Sequence, residues 1–263
     1  MRRVARVLVE PTREQILAFC AREPVERVFL EDVSRRGLGR FAGIVDGREL
    51  VALCHLGANL VPSGLGCGGF ASVAARSPAR MLLGETHAVT ELWEAARSKL
   101  PKAKQDRPGQ PVFVIDEPPP PGGTGLRVAR LSDMELLVPA CAAAHEEELG
   151  ANPLRRDPDG FRWRTRAQIE EGRSWVWIED GAIRFKAEAS AWTPSAVQLQ
   201  QVWTDPHVRG RSYATRGLAD LIRLLLKTTP TVCLFVRAEN DVAIRLYRKV
   251  GMRHTIDYRS VLL

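Results

Sequence analysis

Two short segments near the C-terminal end of the chain carry the residues best suited to chemistry. Residues 209–214, Arg-Gly-Arg-Ser-Tyr-Ala, open a predicted helix that follows a predicted strand. A helix N-terminus presents unpaired backbone amides and the positive end of the helix dipole, and small residues let an anion approach the backbone closely. Asn240 begins a second predicted helix as a good N-cap type, and Tyr247 lies two turns further along the same face. The first segment is therefore suited to binding an anion such as phosphate, and the second carries a phenol near the face of its helix N-cap.

Together the two segments resemble the acyl-CoA signatures of the GNAT N-acetyltransferase superfamily. Residues 240–252 have the pattern N-x-x-A-x-x-L-Y-x-x-x-G-M. Residues 209–214 have the pyrophosphate-loop pattern Q/R-x-x-G-x-G/A, with Ser212 at the first glycine position. The resemblance implies that acetyl-CoA is the co-substrate and that its acyl group passes to an amine by direct attack on the thioester. The residues assigned to the pyrophosphate are Arg209, Gly210, Arg211, Ser212, Tyr213 and Ala214.

The resemblance also assigns roles on neighbouring elements. The strand 196–204 would diverge from its neighbour, so that its free main-chain groups pair with the pantetheine arm of CoA. Those main-chain groups belong to Val202, Trp203 and Thr204. Asn240 would contact CoA as well as cap its helix, and Tyr247 would donate a proton to the departing thiolate. The alternatives are a purely structural cap for Asn240, a core position for Tyr247 and simple packing for the Trp203 side chain.

Direct transfer needs an unprotonated amine, and the sequence offers two candidates for the group that removes the proton. Glu188, on the predicted strand 183–190, is one if it faces the cleft. The run Glu146 to Glu148 with the preceding His145 is the other, although charge runs are usually solvated. Ser212 leaves a further alternative open: its hydroxyl could donate to phosphate, or its Cβ could disfavour the positive φ that glycine adopts. The alternative function is therefore an acyl-CoA-binding sensor or regulatory protein without turnover.

Proline and glycine mark a division of the chain. Residues 118–125, Pro-Pro-Pro-Pro-Gly-Gly-Thr-Gly, read as a linker between residues 1–117 and residues 126–263. The C-terminal part has the predicted order β-α-α-β-β-β-α-β-α-β, which is the order of a GNAT domain. The predicted fold class is therefore α/β with a mixed sheet, as two tandem GNAT-like domains.

Within the C-terminal part, local signals fix several element boundaries. A strand is expected over residues 126–131. Ser132 and Glu135 have the spacing of a capping box, which predicts that the next helix begins at Ser132 and runs to about Leu149. One further helix is expected over residues 159–172. Asp180-Gly181 predicts a hairpin between two of the following strands.

The N-terminal half is predicted to be a degenerate copy of the same plan. Thr12 and Gln15 form a capping box, and two strands flank Asp46-Gly47 as a hairpin. Residues 63–68 have the glycine spacing of the pyrophosphate loop but lack the leading arginine or glutamine. Residues 86–93 repeat the spacing of the Asn240 helix, with Trp93 where tyrosine stands in the C-terminal copy. Because tryptophan offers only an indole N–H, this half is predicted to have lost catalysis.

Composition limits the remaining possibilities. The chain has 263 residues, a formal net charge of +7 and five cysteines without a C-x-x-C pair. The cysteine pattern argues against zinc or any other metal site and for a reducing, cytoplasmic location. The positive charge is compatible with an anionic cofactor or with a solvated surface. The sequence has no stripe of basic and aromatic residues, so nucleic-acid binding is not predicted. No apolar run is long enough to span a membrane. The acceptor, the acyl-chain length and the oligomeric state are not fixed by the sequence.

Overall fold

The computed structural model describes residues 7–263; residues 1–6, which the predicted domain 1–117 includes, lie outside that part. The N-terminal half forms β1 (Val7–Val9), α1 (Arg13–Cys20), α2 (Val28–Arg35), β2 (Phe41–Asp46), β3 (Glu49–Leu56), β4 (Asn59–Gly64), α3 (Ala71–Ala74), β5 (Met81–Glu85), α4 (Thr86–Ala96) and β6 (Gln105–Ile115). The C-terminal half forms β7 (Arg127–Val128), α5 (Met134–Leu149), α6 (Pro153–Arg156), α7 (Pro158–Glu170), β8 (Ser174–Glu179), β9 (Ala182–Trp192), β10 (Val197–Thr204), α8 (Tyr213–Leu225), β11 (Val232–Phe235), α9 (Asp241–Val250) and β12 (Arg253–Leu262).

The described strands join into one mixed sheet of twelve, which confirms the predicted fold class. Their order is β1-β2-β3-β4-β5-β12-β6-β11-β10-β9-β8-β7. Each half contributes four antiparallel strands followed by one parallel strand, β5 beside β4 and β11 beside β10. The sheet is therefore close to symmetric about its centre, as a duplicated plan requires.

The two halves exchange their last strands at that centre. β6, the last strand of the N-terminal half, pairs with β11, and β12, the last strand of the chain, pairs with β5. β6 and β12 also pair with each other, with Tyr258 opposite Gln110. Because each half takes its closing strand from the other, the halves share a single hydrogen-bonded sheet.

Helices cover both faces of the C-terminal half of the sheet. The strand alternation sends Trp175 and Trp177 to one face, into a core with the apolar residues of α8 and α9. Val176 and Ile183 face the other way, into a core with α5 and α7. No helix between residues 7 and 263 combines the length and the apolar character that crossing a bilayer requires.

Local signals place many of the element ends. Thr12 and Gln15 form the predicted capping box of α1. The turn between β8 and β9 is built on Asp180 and Gly181, both with positive φ, as expected for a two-residue hairpin. The helix predicted over residues 159–172 is α7, Pro158–Glu170, which Asp157 caps with proline in the first turn. The short helix α6, which Asn152 caps, precedes it and was not predicted.

The capping box predicted at Ser132 is wrong. The Asp133 carboxylate accepts from the backbone N–H of Arg130 at 2.7 Å and from both terminal nitrogens of Arg127, at 2.7 and 2.8 Å. This ion pair, 8% exposed at the aspartate, holds residues 131–133 in a 3₁₀ turn, so that α5 begins at Met134. The predicted strand over residues 126–131 is correspondingly reduced to Arg127–Val128.

The predicted linker, residues 118–125, lies along α8. Asp220 on α8 accepts from the amides of Gly122 and Thr124, at 2.7 and 2.8 Å, and from the Thr124 hydroxyl at 2.7 Å. Arg216 donates in return to the Gly122 carbonyl. Burial acts to raise the pKa of Asp220, but the hydrogen bonds from Thr124 and Gly122 outweigh it and lower that pKa. The segment is therefore anchored to the C-terminal half through a charged group.

Candidate functional site

The sheet opens between β10 and β11. These parallel strands pair only at Val197–Val232 and Gln198–Cys233, although β10 continues to Thr204. A register irregularity follows between Gln200 and Trp203, where Gln201 adopts a φ of 51°. The divergence predicted for this strand is confirmed, and it leaves one edge of β10 without a neighbouring strand over its last residues.

A cleft of about 710 Å³ opens at this divergence and extends to the N-terminal half. Eight of the candidate residues from the sequence line it: His145, Glu147, Glu148, Glu188, Val202, Trp203, Asn240 and Tyr247. The N-terminal half contributes Arg80 and Arg107, among others, and β12 contributes Ser260. The strand exchange therefore brings both halves of the chain to one site.

The predicted pyrophosphate loop, residues 209–214, lies at the start of α8 rather than in the lining of the cleft. Gly210 has a φ of 77°, and Ser212 is the N-cap of α8 with φ 64° and ψ 8°. The motif serine thus holds the left-handed conformation that a glycine adopts without steric cost. No side chain caps α8, so the first-turn amides of Tyr213 and Ala214 remain suited to an anionic ligand.

The arginine of the loop is held by a carboxylate of α5. Arg209 donates to both Glu147 oxygens, at 2.8 and 2.9 Å, and to the Thr204 carbonyl at 3.1 Å. The indole N–H of Trp203 donates to the same Glu147 carboxylate at 3.1 Å. Glu147 thus holds a negative charge beside the loop where the resemblance places a phosphate.

Asn240 and Tyr247 occupy the ends of one face of α9. The Asn240 side-chain oxygen accepts from the Ala243 amide at 3.1 Å, so it caps the helix and also lines the cleft. Tyr247 is 6% exposed, and its ring packs 5.6 Å from that of Phe113 on β6. Burial and the Glu148 charge raise the pKa of Tyr247, so the phenol is neutral at physiological pH.

Glu188 faces the cleft but is already paired. Its Oε1 lies 2.5 Å from Nζ of Lys186, which is fully buried, and accepts from the Cys141 thiol at 3.2 Å. Burial acts to lower the pKa of Lys186, but Glu188 and Cys141 outweigh it and raise that pKa. The Glu188 carboxylate is therefore already engaged by a buried cation. Sequence reasoning missed Lys186, because a lysine within an apolar strand gives no local sign of its partner.

His145 is a second candidate for the group that removes the amine proton. It lines the cleft, with its ring 6.2 Å from that of Phe161. Burial lowers its pKa, so the imidazole is neutral at physiological pH and has a lone pair for a proton. Neighbouring Glu146 is not part of the cleft lining; its carboxylate accepts a hydrogen bond from the Asn152 side chain.

The corresponding loop of the N-terminal half is filled by the protein itself. The amides of Gly66 and Cys67 donate to one Glu91 oxygen, at 2.9 and 2.8 Å. Glu91 lies on α4, two residues before Trp93. In the N-terminal half, the loop amides that correspond to the proposed anion site of the other half therefore bind the Glu91 carboxylate of the protein itself.

Comparisons with known proteins agree with this architecture. Residues 39–137 match the model of a domain of unknown function (DUF4081), and residues 141–252 match that of the Acetyltransferase (GNAT) family. No curated protein matches the sequence.

Solved structures match over nearly the whole chain. A Drosophila protein has a TM-score of 0.65 at 12% identity, covering 98% of this chain and 99% of its own. A GCN5-related N-acetyltransferase from Sphaerobacter thermophilus has 0.57 at 19%, covering 98% and 94%. A tandem GNAT protein from the clavulanic acid biosynthesis pathway has 0.58 at 14%, covering 97% and 98%.

These findings define a class of protein. Residues 141–252 match the GNAT acetyltransferase family model, and the chain as a whole has the fold of a tandem GNAT protein. The family match over residues 141–252 supports acyl transfer in general as the activity.

Proposed function

We propose that this chain transfers an acetyl or related acyl group from CoA to an amine. The observation that carries the proposal is the divergence of β10 from β11 beside the uncapped start of α8. The open edge of β10 would pair with the pantetheine arm through the main chain of residues 202–204, as an added strand does. The amides of residues 209–214 would hold the pyrophosphate, and Asn240 would contact the cofactor from the start of α9.

The chemistry is attack of a neutral amine on the thioester carbonyl, followed by departure of the CoA thiolate. Tyr247 lines the cleft and carries a proton at physiological pH, so it is the proposed donor to the departing sulfur. Its raised pKa makes complete proton transfer less favourable than for an ordinary phenol. We therefore assign it a hydrogen bond that strengthens as charge develops on sulfur.

Two groups are proposed for the amine proton. Glu188 is the first candidate from the sequence, and its carboxylate is paired with Lys186. His145 is the second, because it lines the same cleft with a neutral imidazole. The pH dependence of kcat/KM in Glu188→Gln and His145→Gln decides between them: the variant that loses the base also loses the rising limb of the profile.

The test of the whole proposal has a binding arm and a turnover arm. Acetyl-CoA affinity is measured by calorimetry, and release of free CoA thiol is followed with a panel of amines. Tyr247→Phe should keep the affinity and lower kcat by about 10²-fold or more. Turnover unaffected by this substitution would remove Tyr247 from the mechanism, and failure to bind acetyl-CoA would end the proposal.

The alternative is an acyl-CoA sensor without turnover. Two observations favour it. Ser212 adopts a left-handed backbone conformation that is energetically unfavourable for any residue except glycine, and the Glu188 carboxylate is paired with a buried lysine. Tight acetyl-CoA binding with no thiol release above the uncatalysed rate across the amine panel would establish the sensor instead.

We propose that catalysis belongs to residues 126–263, with 118–125 as the connecting segment and 1–117 as a non-catalytic half. Support comes from Glu91, which fills the loop amides of the N-terminal half, and from Trp93 in place of tyrosine. The five cysteines are buried free thiols, which suits a reducing compartment; we propose the cytoplasm.

A further inference from the structure

One end of the cleft is formed by an arginine that a β-bulge redirects. Across β6 and β12, Tyr258 pairs with Gln110 and Ser260 pairs with Arg107. Two steps along β12 thus match three along β6, and the extra residue falls at Pro108-Gly109, where Gly109 has a φ of 62°. Bulges commonly re-aim a side chain next to a site. Arg107 lines the cleft as a result.

A second arginine lies beside the first. Arg237 follows Val236, whose amide donates to the Pro111 carbonyl of β6 at 3.3 Å. Because β6 and β11 are antiparallel, the chain beyond β11 passes the Arg107 end of β6. Burial, and next the charge of Arg237, lower the pKa of Arg107, as expected for two cations that repel each other.

Neither guanidinium has a carboxylate partner in the described part of the chain. Arg107 donates to the Gln105 side chain at 2.7 Å, and its Nε is buried without a hydrogen-bond acceptor. Arg237 donates to the Glu147 carbonyl at 3.3 Å. The nearest acidic group of the cleft, Glu148, accepts from the Gln201 side-chain amide and lies close enough to act on the pKa of Arg107.

We infer that the acceptor amine carries an anionic group, a carboxylate or a phosphate, which Arg107 and Arg237 bind. The inference rests on the proposed function and names the substrate class of that site. A guanidinium fork matches either anion through paired hydrogen bonds. Bound in this way, the anion supplies the missing acceptors, and the amine end of the acceptor extends toward Tyr247 in the same cleft.

The cofactor phosphates are not expected at this pair. Their proposed loop, residues 209–214, begins α8 and is absent from the cleft lining. Arg107 also belongs to the N-terminal half and reaches the cleft only because β6 is exchanged. The inference therefore gives the N-terminal half a function: it supplies half of the acceptor's anion site.

Product analogues test this without knowledge of the natural acceptor. The probes are N-acetylglycine, N-acetyl-β-alanine and N-acetylglutamate, each compared with its uncharged amide, and N-acetylaminomethylphosphonate for the phosphate class. Binding is measured by calorimetry with saturating CoA. At least one charged probe should bind about tenfold more tightly than its uncharged counterpart. Arg107→Gln and Arg237→Gln should each abolish that preference, whereas Arg97→Gln, an exposed arginine outside the cleft, should keep it.

Acetyl-CoA affinity, measured for every variant, separates the possible failures. It should stay within about twofold of the parent protein in Arg107→Gln and Arg237→Gln. Equal binding of charged and uncharged probes, or no binding of any probe, would overturn the anionic acceptor while leaving the acyltransferase proposal intact. A tenfold loss of acetyl-CoA affinity in these variants would assign the arginines to the cofactor. If the parent protein bound no acetyl-CoA, the proposed function itself would fail.

Discussion

Replacing Ser212 by glycine should stabilise the protein, because the serine is held at φ 64° and ψ 8° at the start of α8. An L-residue in the left-handed region costs about 1–2 kcal/mol. Glycine removes that cost. It also gives the unfolded chain more conformational entropy, which lowers the stability of the folded protein by about 0.4–1 kcal/mol. The Ser212 side chain caps no helix amide, so its loss removes no hydrogen bond to the helix. The midpoints of these two ranges differ by about 0.8 kcal/mol, which corresponds to a Tm increase of about 2–3 °C for a chain of this size.

Urea and thermal unfolding of Ser212→Gly measure this gain, and Ser132→Gly is the matched control. Ser132 is exposed in a 3₁₀ turn and is not among the residues with positive φ, so its replacement should be neutral or destabilising. Acetyl-CoA affinity of Ser212→Gly should equal or exceed that of the parent. Destabilisation of Ser212→Gly as large as that of the control would refute the strain argument. Lost affinity would instead show that the hydroxyl binds the cofactor.

Three further predictions concern charge and topology. Glu147→Gln should tighten acetyl-CoA binding about two- to fivefold, because it releases Arg209 from its ion pair. The increase in affinity should be smaller at high salt, and Glu146→Gln should not change the affinity. Equal changes in acetyl-CoA affinity for the two variants, measured by calorimetry, would contradict this. Asp220→Asn should lower the free energy of unfolding at pH 7 by about 1–3 kcal/mol. Folding lowers the pKa of Asp220, so the stabilisation by its carboxylate is complete above about pH 4–5 and is lost as the pH falls through the folded-state pKa. The urea midpoints of the parent and the variant should therefore converge in acid. A gap between the two midpoints that stays constant with pH would refute the assignment. Residues 126–263 alone should not unfold cooperatively, because β11 loses its β6 partner; a sharp thermal transition in that fragment would contradict the strand exchange.

The sequence predicted α9 and the β8–β9 hairpin closely, because their signals are local. Asn240 caps α9 with its own side chain, and Gly251 ends the helix with a φ of 99°. Asp180-Gly181 similarly sets the hairpin through its own backbone preferences. Such residues act within a few positions of themselves, so a single chain is enough to interpret them.

The strand exchange could not be predicted in the same way. Nothing within β6 or β12 specifies which half of the chain each strand closes. The Ser132 capping box failed for a related reason: Arg127 captures Asp133 through an ion pair that outweighs the local serine signal.

The acceptor end of the site depends on the same long-range topology. Arg107 and Arg237 are far apart in sequence and meet only because β6 lies beside β11. Lys186 gave no sign of its pairing with Glu188 for the same reason. The proposed cofactor side rests on two contiguous segments that the sequence marks locally, whereas the proposed acceptor side depends on contacts between distant residues.

Thermal unfolding with and without acetyl-CoA tests the central claim most directly. At 100 times the Kd, binding adds about 2.7 kcal/mol to the folded state, which predicts a Tm increase of about 5–11 °C. Arg209→Ala should reduce that increase, with little effect on the unliganded Tm because the Arg209–Glu147 pair is about half exposed. An unchanged Tm up to about 1 mM acetyl-CoA, repeated with longer acyl-CoA thioesters, would contradict an acyl-CoA site on this chain.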